Sequence, residues 1–146
     1  MNPNPRIFPI KILFVEDNPG DVRLVKEAIN DCNRSVELTI ARDGEQAIKL
    51  LNAIAGRPKE DFPDLILLDL NLPRKNGREV LAEIKNDPTL RSIPVIVFTA
   101  SQAESDILAA YNLHANCYVP KPIDLDDFLR TIHTIMNFWL DLVQLP

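Results

Sequence analysis

Asp64-Leu65-Ile66-Leu67-Leu68-Asp69 is the stretch on which the fold turns. Four apolar residues follow one another with no polar interruption, so the segment has no wet face. A strand covered on both sides reads this way, whereas a strand with one solvated face alternates. A layer is needed above and below it, and the run delivers an acid, Asp69, at its carboxyl end.

Outward from there, Ile10 to Val15 is a second run of this kind and ends at Glu16-Asp17. Asn18-Pro19 marks a helix start, since Asn caps free N–H groups and Pro is tolerated at the first helical position. Val22, Val25 and Ile29, with Leu24 and Ala28, give that helix an apolar face. Val36, Leu38 and Ile40 alternate as a strand does. Asp43 and Gln46 resemble a capping box before Ala47, Leu50, Leu51 and Ile54, and Gly56 is placed to end that helix. On the other side of Asp69, a turn through Pro73 and Gly77 leads into a helix carrying Val80, Leu81 and Ile84. Val95 to Phe98 is a strand that ends at Thr99, and Ile107, Leu108 and Tyr111 mark a short helix. Cys117 to Val119 is a short strand ending at Pro120-Lys121-Pro122, after which Asp124 opens a last helix with Leu125, Phe128, Ile132 and Ile135 inward.

Strand and helix thus alternate five times. The fold class expected is α/β, a flavodoxin-like (βα)5 three-layer sandwich with a parallel five-stranded sheet, its order 2-1-3-4-5 taken over from known sheets of that kind. Five strands are too few for the eight-stranded barrel. A length of 146 residues suits one domain. The reading divides the chain into a lead over 1–9, a domain over 10–137 and a tail over 138–146, with no output domain. A net charge of −5 without a basic cluster argues against nucleic acid. The apolar runs are too short to span a bilayer, and the N-terminus is not a secretory signal. Cys32 and Cys117 lie far apart with no Cys-x-x-Cys, as expected of a cytoplasmic protein with reduced thiols.

Ligands in open parallel sheets bind beyond the carboxyl ends of the strands. Those ends carry Glu16-Asp17, Asp69, Thr99 and Lys121. Converging carboxylates repel one another and call for a counter-charge, and hard oxygen ligands with room for water and phosphate suit Mg²⁺. The metal, the Lys121 ammonium and the Thr99 hydroxyl would receive the three oxygens of a phosphoryl group, with Asp69 as nucleophile. Only four glycines occur, and none forms a phosphate loop.

These residues resemble the response-regulator receiver family. The matching pieces are Ile12-Leu13-Phe14-Val15-Glu16-Asp17-Asn18, Asp64 to Pro73 with Gly77, Pro94-Val95-Ile96-Val97-Phe98-Thr99-Ala100, and Tyr118-Val119-Pro120-Lys121-Pro122. The resemblance implies that Asp69 takes phosphate from a histidine of a sensor kinase. It implies that Asp17, Asp69 and the backbone carbonyl of Asn71 bind Mg²⁺, with Glu16 acting mainly through water. Lys121 would hold a phosphoryl oxygen, Thr99 would move toward the group and Tyr118 would turn inward. Asn71 and Ser101 would influence the lifetime of the acyl phosphate. Asn18-Pro19-Gly20-Asp21, Leu70 to Leu81 and Phe138-Trp139-Leu140 are similar to the small receivers that serve bacterial and cyanobacterial phytochromes. That likeness implies a phytochrome kinase as partner and a homodimer through the C-terminal half, with Tyr118, Phe138, Trp139 and Leu140 at the interface.

Plainer readings stand beside these. Glu16-Asp17 read alone is a solvated turn, Asp69 a helix-capping acid, Thr99 an ordinary strand residue and Lys121 a loop charge. His114 and His133 read as surface or packing residues rather than phosphate relays. Phe138 and Trp139 could dock on their own domain. Three rivals share the fold or its chemistry. A haloacid-dehalogenase-type phosphatase would carry an acid where Asn71 stands and would need a cap. A phosphorylation-independent adaptor would not need the full acidic set. A flavin carrier would want donors, not acids, in the crevice.

Overall fold

The computed structural model describes residues 9–32 and 34–146, so the expected lead over 1–9 lies outside the described residues except for Pro9. The elements alternate as β1 (Ile10–Val15), α1 (Pro19–Asn30), β2 (Val36–Ala41), α2 (Gly44–Ile54), β3 (Leu65–Leu68), α3 (Gly77–Asn86), β4 (Val95–Thr99), α4 (Glu104–Asn112), β5 (Cys117–Pro120) and α5 (Leu125–Met136). All strand pairs are parallel and the order is β2-β1-β3-β4-β5. This is the flavodoxin-like sandwich expected.

The period-two geometry of strands sorts β3 cleanly. Ile66 and Leu68 join a core with Leu51, Val80, Leu81 and Ile84 from α2 and α3. Leu65 and Leu67 face the opposite layer, with Val22, Val25 and Ile29 of α1 and Phe128 and Ile132 of α5. Every residue of β3 and β4 is buried, which accounts for the unbroken apolar runs.

Side-chain caps start the helices where the sequence placed them. Asn18 accepts from the Asp21 N–H at 3.1 Å, Asp43 from Gln46 at 2.8 Å and Asp124 from Asp127 at 3.1 Å. The α2 box is displaced by one residue, because the Gln46 side chain accepts from the Arg42 N–H at 2.7 Å. Gly56 does not stop α2 through a left-handed conformation; no glycine has positive φ, and Arg57 N–H donating to Ile54 O closes the turn. His114 does adopt that conformation, at φ 69°, and terminates α4.

The path of α5 continues as a π-helical segment over Asn137–Leu142. Leu140 within it is 4% exposed and joins the α1/α5 core, with Trp139 and Leu145 packed against the same cluster. Packing therefore crosses the 137/138 boundary drawn from sequence, and the side chain of Leu140 lies off the exposed surface where an interface residue was expected. The reason is local: the helical path continues past Met136, and Leu140, one turn beyond it, falls on the same inner face as Ile132 and Met136. Among the described residues, no helix is long and apolar enough to cross a membrane.

Candidate functional site

Sheet register sets the site. Val15 of β1 stands opposite Leu68 of β3, so the residues that follow, Glu16 and Asp69, leave the sheet side by side. The Asp69 N–H still donates to Val15 O at 3.1 Å, and the Glu16 N–H to Ala41 O at 2.9 Å. Thr99 of β4 pairs with Pro120 of β5, and the Lys121 N–H donates to Thr99 O at 2.7 Å. Four strand ends thus finish at one rim.

The helix after β3 is drawn tight against that rim. A Cβ on Gly77 would fall 2.2 Å from Asp69 O and 2.5 Å from Leu70 Cα, so only glycine lets α3 start there. At the next loop, a Cβ on Gly44 would sit 1.8 Å from Lys75 O.

Glu16 and Asp69 are buried and Asp17 is exposed, and these three offer carboxylate oxygens all within 4.8 Å of one another. Lys121, at 8% side-chain exposure, bridges the two buried acids: Nζ donates to Asp69 Oδ2 at 2.9 Å and also to Glu16 Oε1. Asp69 Oδ1 accepts from the Asn71 N–H at 3.1 Å, so each oxygen of the Asp69 carboxylate has a donor. Thr99 is fully buried. Its hydroxyl is close enough to bear on the Asp69 carboxyl, yet it makes no hydrogen bond to any described residue.

Charge follows from this crowding. Burial pushes the Glu16 carboxyl up to about 8, and its hydrogen bond with Asp69 adds to the rise that Lys121 only partly offsets. Burial would also raise Asp69, but the bond from Glu16 and the Lys121 charge outweigh it and hold Asp69 below its ordinary value. Lys121 is desolvated too, yet three carboxylates, Asp21 foremost, keep its ammonium firmly protonated. Glu16 therefore holds a proton more tightly than Asp69 does. Three hard oxygen donors in a half-open cup suit a hard divalent cation, which would neutralise them better than one proton does.

Asp21 is the residue the sequence reading missed. Its carboxylate accepts from Lys121 Nζ at 2.8 Å across 100 positions of chain. Read alone, an acid in the first turn of a helix answers the helix dipole, and nothing local announces the distant lysine.

Tyr118 is half-buried, and its hydroxyl donates to Ser101 O at 2.8 Å. Ser101 in turn donates to Asp106 of α4, which pairs with Arg78 of α3. Phe138 is 48% exposed and meets the ring of half-buried Trp139 edge-on at 5.5 Å. His114 is a helix terminator, and His133 Nε2 is buried with no partner among the described residues, so neither lies at the acidic rim in any hydrogen bond.

The model of the response regulator receiver domain matches residues 12–133. The response regulator Rcp1 of Synechocystis sp. is 48% identical over 138 residues, covering 94% of this chain and 94% of that protein. The crystal structure of the Mn²⁺-bound form of Rcp1 superposes with a TM-score of 0.87 at 48% identity, over 94% of this chain and 99% of that one. That of the phosphorylated cyanobacterial phytochrome response regulator RcpA superposes at 0.89 with 46% identity, over 95% and 99%.

Proposed function

The chain belongs to the response regulator receiver family, and from that membership we propose that Asp69 accepts a phosphoryl group from the histidine of a sensor kinase, a phytochrome. The observation that carries this reading is the Lys121 ammonium bound to both Glu16 and Asp69 beside Asp17. An Asp69 oxygen attacks phosphorus as the P–N bond to the kinase histidine breaks. The imidazole keeps that electron pair and takes up a proton from water. Lys121 holds one phosphoryl oxygen, and the unpartnered Thr99 hydroxyl donates to another. Asp17, Asp69, the backbone carbonyl of Asn71 and, through water, Glu16 would hold Mg²⁺, which supplies charge neutralisation for the transferring oxygens.

The response is a two-state shift. As Thr99 is drawn toward the phosphoryl group, Tyr118 leaves Ser101 O and turns inward, and the changed surface alters a partner's affinity. Tyr118, Phe138 and Trp139 belong to that surface, and the receiver pairs as a homodimer through its C-terminal half. The protein works in the cytoplasm. It is an acceptor that assists its own Mg²⁺-dependent phosphorylation and dephosphorylation, not an enzyme that turns over small phosphate esters. The Asn71 position, where the phosphatase rival carries an acid, supports this.

Mixing the purified chain with Mg²⁺ and acetyl phosphate, then following intact mass and oligomeric state together, tests the proposal. The expected result is the added mass of one phosphoryl group with a changed oligomer, and no added mass in Asp69→Asn. Labelling that survives Asp69→Asn would move the acceptor elsewhere.

A further inference from the structure

Lys121 has three acceptors in this structure: Glu16, Asp69 at 2.9 Å and Asp21 at 2.8 Å. Glu16 and Asp69 belong to the trio whose oxygens converge for a divalent cation, and Asp21 does not. A cation bound by that trio competes with Lys121 for the Glu16 and Asp69 carboxylates and repels the ammonium. A nearly buried ammonium that loses its partners is costly, so Lys121 would either withdraw or depend on an acid outside the metal's reach. Asp21 is that acid. It sits in the first turn of α1, where its own N–H is fixed by the Asn18 side chain at 3.1 Å, so the carboxylate is presented from a rigid element rather than a loop.

We propose that Asp21 is a positioning residue: it is the counter-ion that keeps the Lys121 ammonium aimed at the Asp69 phosphoryl position while a divalent ion engages the remaining carboxylates. The inference rests on Asp69 being the phosphoryl acceptor and deepens that reading. A plain helix-dipole role for Asp21 is the competing account. It needs no contact with Lys121, and it would not distinguish phosphotransfer from metal binding.

The test compares the full-length chain with Asp21→Asn and Asp21→Glu at saturating Mg²⁺ and acetyl phosphate. In that reaction the P–O bond to acetate breaks as the bond to the Asp69 oxygen forms, and acetate leaves with the electron pair. Asp21→Asn should slow the maximal rate of phosphorylation about tenfold, as expected when a catalytic group loses its orientation. Its Mg²⁺ affinity should stay within roughly threefold of the parent, since the lost charge is outside the ligand set. Exchange of the Lys121 ammonium protons with water, followed by NMR in the Mg²⁺-loaded chain, should quicken in Asp21→Asn. Asp21→Glu, which keeps the charge on a longer arm, should recover part of both effects. An unchanged maximal rate in Asp21→Asn, a slow rate restored simply by more Mg²⁺, or unchanged ammonium exchange would overturn the proposal. A parent chain that takes up no phosphoryl group, or an Asp69→Asn chain that does, removes the acceptor reading itself and this inference with it.

Discussion

Glu16 lies between two demands: burial and its neighbour Asp69 oppose a negative charge, while Lys121 favours one. With its carboxyl raised from 4.5 to about 8 in the metal-free fold, the folded chain holds a proton that the unfolded chain releases across that window. Stability from this group is full below its ordinary value and is lost as pH rises through about 8. The metal-free chain should therefore lose stability between about pH 5 and pH 8, at no more than about 1.4 kcal/mol per pH unit. Saturating Mg²⁺ should flatten that slope, because the ion takes the proton's place. Urea titrations at several pH values, with and without Mg²⁺, measure this; a slope that Mg²⁺ leaves intact would assign the titration to another group. At this scale the sequence was informative wherever an acid ended an apolar run, as at Asp69 and Glu16. It was silent on Asp21, whose partner is fixed only by the folded sheet.

Among the helices, α4 is the one with least to hold it. Only Ala110 of its residues is buried, and Leu108 and Tyr111 face outward. Its N-terminal turn is instead secured by Asp106, which binds both Arg78 and Ser101. Ser101 O also receives the Tyr118 hydroxyl, so one acid links α3, the β4–α4 loop and β5. Arg78→Ala should raise amide hydrogen exchange over residues 104–112 about tenfold, with α1 and α5 unaffected. Exchange followed by mass spectrometry decides it, and uniform protection across the chain would show the pair to be dispensable. The helix was visible in the sequence as a short apolar pattern. Its weak anchoring was not, because amphipathic spacing tells which face is apolar and not how much of it finds cover.

The molecule as a whole has its two cores on opposite faces of one sheet, and the α1/α5 core extends into the segment after α5. Leu140→Ala should cost about 2–5 kcal/mol of unfolding free energy, the usual range for emptying a buried leucine site. A denaturant titration that moves by less than the experimental scatter would return this segment to the status of a loose tail. All ten main elements were legible, since buried parallel strands leave unbroken runs and caps leave Asn or Asp at fixed offsets, whereas the strand order came from analogy with known sheets of this kind. The end of the domain was not, because nothing in Phe138-Trp139-Leu140 distinguishes an apolar patch that seeks a partner from one that folds home.

The contacts of Gly77 with the backbone of Asp69 and of Gly44 with Lys75 O leave no slack on the α2/α3 flank of the rim. That flank is an anvil. Across the rim, α4 buries only Ala110 and is otherwise held by polar contacts of Asp106 and Tyr111, so it offers the softer side. If Asp69 is phosphorylated as proposed, two missing side chains on one flank would bias the resulting movement toward the other.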